Sequence, residues 1–168
     1  EEIMVYIIND GLVYGGGHLL EEQGTKRKDW LDISFGGMLG DADDAGLVGE
    51  WQINFHNVYE DAFDKSTFHT TTITSLNFFV GNTDSCTEAM NFGATGEFNG
   101  VPGYRIIFRS GDSSDPASYS SDTIRVELYN PSDVKIYDTH WAGEFTDESN
   151  CVGTARTSLD TGNIVIQG

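Results

Sequence analysis

The chain has 168 residues, a length that suits one domain able to bury roughly 70% of its unfolded surface. Acidic residues outnumber basic ones 27 to 9, a formal net charge of −18, and a field of that sign repels phosphate backbones and excludes nucleic acid as a partner. Twenty glycines with 10 Phe, 7 Tyr and 3 Trp, amid abundant Thr and Ser, favour strands and turns and leave no convincing amphipathic helix.

The first predicted element is Ile3-Met4-Val5-Tyr6-Ile7-Ile8, a run apolar on both alternations that needs cover on both sides. Two readings stay open for it. Either it is an ordinary buried strand of its own sheet, or it is a donor strand that completes the sheet of a neighbouring subunit, swinging about Asn9-Asp10-Gly11. Residues 1–13 are therefore set apart from a body of residues 14–168. Leu31, Ile33 and Phe35 alternate in the period of a half-buried strand, as do Trp51, Ile53 and Phe55, with Gln52, Asn54 and His56 on the other face. Ser66 to Gly81 is β-branched and aromatic nearly throughout and reads as the longest strand. Met90, Phe92, Ala94 and Phe98 lead into the turn Asn99-Gly100-Val101-Pro102-Gly103, and Tyr104, Ile106 and Phe108 return as a hairpin, alternating with Arg105, Ile107 and Arg109. Ile124, Val126 and Leu128 follow, then Val134 to Tyr137 across an Asn-Pro-Ser-Asp turn, and Ile164 to Ile166 closes the chain. About nine or ten short strands separated by turns predict an all-β antiparallel sandwich of jelly-roll type.

From Gly15 onward the landmarks resemble the post-COAP domain, a module of secreted bacterial and archaeal proteins. They are Gly15-Gly16-Gly17-His18-Leu19, Phe35-Gly36-Gly37, Gly49 with the strand to His56, Ser75-Leu76, Gly93 to Tyr104, Asp112, Asp122-Thr123-Ile124-Arg125, Tyr137 and Gly162-Asn163-Ile164-Val165-Ile166. The resemblance implies an extracellular all-β module and brings no catalytic residues. Glu1 to Val13 and an insertion over Trp141 to Thr157 depart from the pattern.

Cys86 and Cys151 lie in polar loop-like surroundings and are read as a disulfide in an oxidising compartment, against the alternative of two free thiols. There is no signal peptide and no apolar stretch of about 18 residues, so no membrane span is expected, and the start at Glu1 reads as a mature or trimmed product. Two acidic sets, Asp41 with Asp43 and Asp44, and Asp112 with Asp115 and Asp122, offer oxygens for calcium, although Asp is also common in turns. His56 and His69 would face each other if the intervening turn centres near Ala62 and Phe63, forming a metal-binding or pH-sensitive pair. No nucleophile elbow or phosphate loop is present, and paired acids carry no signal among 27 of them.

The expectation is a non-catalytic extracellular structural protein that polymerises with itself by strand donation. The alternative is a carbohydrate- or surface-binding module, with Trp30, Tyr59, Tyr119 and Trp141 as aromatics able to stack on sugar rings.

Overall fold

A computed structural model of the chain describes residues 7–8, 11–21, 31–42, 46–56, 63, 65–83, 86–112, 122–139, 148–151, 154–159 and 161–167. Twelve strands are present among them, where the sequence predicts nine or ten: β1 (Ile7–Ile8), β2 (Leu12–Glu21), β3 (Leu31–Ala42), β4 (Gly46–His56), β5 (Ser66–Thr83), β6 (Cys86–Phe98), β7 (Val101–Asp112), β8 (Thr123–Tyr129), β9 (Lys135–Asp138), β10 (Glu148–Cys151), β11 (Thr154–Ser158) and β12 (Thr161–Gln167). Every pairing is antiparallel. The ladder runs β10-β11-β8-β7-β6-β5-β4-β3-β2-β12, with β1 added to β5 and β9 to β8.

The predicted alternations set the inward face. Ile33 and Phe35 of β3, Trp51, Ile53 and Phe55 of β4, Met90, Phe92 and Ala94 of β6, Ile106 and Phe108 of β7, and Ile124, Val126 and Leu128 of β8 are all buried. The long sheet folds back so that its two halves stack through these residues. Phe35 packs on Phe108 at 5.3 Å, and Trp51 meets Phe108 at 5.1 Å and Phe92 at 5.6 Å between ring centroids. At one end Phe55 packs on Tyr137 of β9 at 5.3 Å. Aromatic residues dominate because each covers a large area with few rotatable bonds.

The predicted hairpin joins β6 to β7 through a tighter turn than expected: only Asn99 and Gly100, both at positive φ, form it, and Val101, Pro102 and Gly103 belong to β7. The Asn-Pro-Ser-Asp turn before β9 is held by Asn130, whose Oδ1 accepts from the N–H groups of Ser132 and Val134, each at 3.0 Å. β2 differs from expectation. It runs across the expected boundary between residues 13 and 14, and Val13 is fully buried, pairing with Leu39 on one side and Ile166 on the other. The N-terminal element therefore parts from the body between Ile8 and Leu12.

The two ends of the sheet meet at a seam. The chain leaves β11, next to β8, and enters β12, next to β2, through residues 159–160, so the last ladder strand comes alongside the start of β8. Its outer N–H groups, two residues apart and so on one edge, find carboxylates instead of a strand. Ile164 N–H donates to Asp122 Oδ2 at 2.8 Å and Ile166 N–H to Asp112 Oδ2 at 3.2 Å. Both aspartates are buried.

Candidate functional site

Two places on this sheet depart from a plain closed sandwich. The first is a fork in β5. Over its first turn of pleat β5 pairs with β4, from Ser66 opposite Phe55 to His69 opposite Gln52. The ladder then stops. Trp51 N–H, the next donor of β4, goes to the Thr70 side-chain Oγ1 at 2.8 Å, and β5 is kinked by bulges between Thr70 and Thr72 and between Ile73 and Ser75. From Thr71 to Asn77 this edge of β5 pairs with none of the described residues; at Phe78 and Phe79 it is taken up by Ile8 and Ile7 of β1. The described part of the predicted donor strand thus lies on its own β5, while residues 3–6 are outside the described residues. Behind it Gly11 lies against the buried Phe78 ring, whose edge is 2.4 Å from where a Cβ would stand, so this position of the predicted hinge admits only glycine.

The second is a polar depression of about 270 Å³ on the outer face of β5, β6 and β7. Cross-strand register builds it. Gly93 of β6 stands between Ser75 of β5 and Ile107 of β7, and Asn91 stands between Asn77 and Arg109. With no side chain at Gly93 the hydroxyls of Ser75 and Thr74 lean over it, their oxygens 2.8 and 3.1 Å from where a Cβ would stand, and Ser75 Oγ accepts the Gly93 N–H at 3.0 Å. Thr74 and Arg105 complete the rim.

Beyond the rim lies a lattice of charges. Arg105 donates through Nε and Nη2 to Asp133 Oδ1, at 3.1 and 2.6 Å, and lies 3.9 Å above the Tyr129 ring. Arg109 donates to Glu127, Lys135 bridges Glu127 and Asp138 at 2.9 and 2.8 Å, and Arg125 grips Asp138 with two bonds of 3.1 and 2.8 Å. Burial pushes the Glu127 carboxyl up, and the bonds and charges of Arg109 and Lys135 outweigh it, so the group titrates below its ordinary value. Hydrogen bonding to Asp138 raises both Arg125 and Lys135.

The predicted metal sites fare differently. Asp112 and Asp122 are brought together at the seam, where their carboxylates accept main-chain N–H groups. Asp41 is exposed near the end of β3, and Asp43, Asp44 and Asp115 lie outside the described residues. Among the described residues no group of three or more His, Cys, Asp or Glu could hold a metal ion. His56 and His69 do not face each other: His69 pairs with Gln52 and His56 with Asp32. Phe63, in the connection between β4 and β5, is drawn into the core against Phe55 and Tyr137, and the register is displaced by four positions from one centred on residues 62 and 63. Sequence reasoning missed the contact that does form, His18 Nδ1 to Asp32 Oδ1 at 2.9 Å. Cys86 opens β6 and Cys151 closes β10, with their side chains outside the described part. Trp30, Tyr59, Tyr119 and Trp141 also lie outside the described residues.

No described helix is long and apolar enough to cross a membrane. Comparison with protein-family models, with curated proteins and with solved structures finds no match for this chain.

Proposed function

We propose that this chain is a non-catalytic extracellular structural subunit that assembles with itself, into a filament or surface matrix, by exchange of its N-terminal strand. One observation carries the reading: β1 lies on a stretch of β5 edge that β4 has left at the fork, and its two described residues are held there by pairing with Phe78 and Phe79. An edge of that kind accepts any strand of suitable sequence, and the same segment of a second copy is by construction suitable. The post-COAP resemblance belongs to the same reading, as does a Cys86–Cys151 bond, since β10, which ends on Cys151, passes alongside β5, whose hairpin with β6 opens at Cys86.

Removing residues 1–10 tests it. The full chain is expected to form polymers visible by electron microscopy, and the truncated chain to stay monomeric and take up a synthetic peptide of residues 1–10. Polymers of unchanged length from the truncated chain, or a full chain that never polymerises, overturn the reading. A second reading, a module that binds a surface glycan, is favoured by the polar depression over Gly93.

A further inference from the structure

Resting on that second reading, we infer that the depression takes an acidic saccharide: a sugar ring whose hydroxyls meet Thr74, Ser75 and Asn77 and whose carboxylate meets Arg105 and Arg109. The rim sorts by chemistry along the strands. Its β5 side offers hydroxyls and an amide, which both donate and accept; its β7 side offers two guanidinium groups, which only donate. Ser75 Oγ already accepts from Gly93 N–H, which leaves its hydroxyl proton to be donated.

The guanidinium groups retain donors. Arg105 commits Nε and Nη2 to Asp133, and Arg109 commits Nη1 to Glu127; Nη1 of Arg105 and Nε and Nη2 of Arg109 meet no acceptor among the described residues. Both side chains are held by those partners, 31% and 22% exposed, so a planar carboxylate is met by the Nε–Nη2 fork of Arg109 and by Nη1 of Arg105. None of the described lining residues is a carboxylate, and the groups they offer are hydrogen-bonding ones suited to holding a sugar.

Size and charge agree with this class. At about 270 Å³ the space lies just below the roughly 300–1,000 Å³ of pockets that enclose drug-sized ligands, and it is open, so one sugar unit sits in it while a chain continues over the sheet. Four of the nine basic residues, Arg105, Arg109, Arg125 and Lys135, lie on this face against three carboxylates, Glu127, Asp133 and Asp138, a small positive excess on a chain whose net charge is −18. At physiological salt the screening length is about 8 Å, so an anion seated here responds mainly to the arginines beside it and to their paired carboxylates, Asp133 and Glu127, and little to the acidic surface farther away.

The test is calorimetric titration of the full chain with three probes: trigalacturonate, its neutral galactose counterpart and acetate. Trigalacturonate is expected to bind at least about tenfold more tightly than either other probe. Arg105→Gln, which frees the exposed Asp133 and uncovers the Tyr129 ring, is expected to remove that preference, with thermal unfolding confirming the fold; Arg109→Lys, which keeps charge and loses the fork, serves as the second variant. Equal binding of the neutral trisaccharide overturns acid selectivity and leaves the glycan reading standing. Acetate binding as well as the trimer overturns the saccharide, and silence from all three probes at about 10 mM overturns both readings. Unchanged trigalacturonate affinity in both variants also overturns the assignment.

Discussion

Asp122 is a turn residue by sequence and a structural clamp in the fold. Its buried carboxylate accepts from Ile164 N–H, 42 residues further along the chain, and its own carbonyl accepts from Leu159 N–H at 2.8 Å. A β12 edge left without acceptors inside the sandwich would hold desolvated donors, each costing about 1–3 kcal/mol. Asp122→Ala is therefore expected to destabilise the protein by roughly 1.5–3 kcal/mol, the range for a hydrogen bond to a charged group, and Asp122→Asn by less because a neutral oxygen still accepts. Urea unfolding of the two variants checks this, and wild-type midpoints in both would show that the clamp contributes nothing. The reading of Asp112, Asp115 and Asp122 as a calcium set rests on residue type alone, and nothing local in the sequence could reveal the edge strand of residues 164–166 whose N–H groups Asp112 and Asp122 accept.

At the scale of elements, the alternating strands were legible and the edges between them were not. The period of two in Trp51-Ile53-Phe55 and in Ile124-Val126-Leu128 states which face is buried regardless of partner, and every one of those side chains is buried. Register needs the connection as well. Between β4 and β5 the connecting residues include a core aromatic, Phe63, so a turn placed there by symmetry brings the wrong histidine into line. The fork likewise depends on β4 leaving β5, a tertiary event with no local signature apart from the apolar run that takes up the edge. The charge lattice on β7, β8 and β9 was visible only as alternating Arg and Glu, and together with Glu88 of β6 it gives a pH profile of two opposing parts. Burial and the neighbouring Asp112 hold Glu88 above its ordinary value of 4.5, so its ionisation opposes folding above that raised pKa and the penalty fades as pH falls through it toward 4.5. Glu127 is lowered, so its stabilisation is complete above 4.5 and is lost as pH falls through its depressed folded value. Stability measured by urea midpoint is expected to rise on mild acidification and then fall. Glu88→Gln should flatten the rise and leave the fall, and an identical rise in that variant would assign it to general charge repulsion.

At the scale of the whole molecule, the proposed self-assembly would have to act against a net charge of −18 on every copy. Copies joined by a shared strand sit in contact, and at 0.01 M ionic strength the screening length of about 30 Å lets most of the charge on one subunit act on the next. At 1 M it is about 3 Å, and only charges in direct contact still oppose each other. The strand itself is uncharged between Ile3 and Ile8, so its pairing with β5 is insensitive to salt while the approach of the two bodies is not. Polymerisation by strand exchange should therefore rise steeply between about 0.01 and 1 M sodium chloride, as read by light scattering, and the truncated chain should stay monomeric throughout. Calcium and magnesium compared at equal ionic strength separate screening from binding. Equal effects mean that the acidic surface needs only counter-charge, whereas a calcium response at millimolar concentration that magnesium fails to reproduce means a specific ion among the acidic loops. Assembly that is independent of salt would show that the subunits do not meet body to body, which a shared N-terminal strand requires.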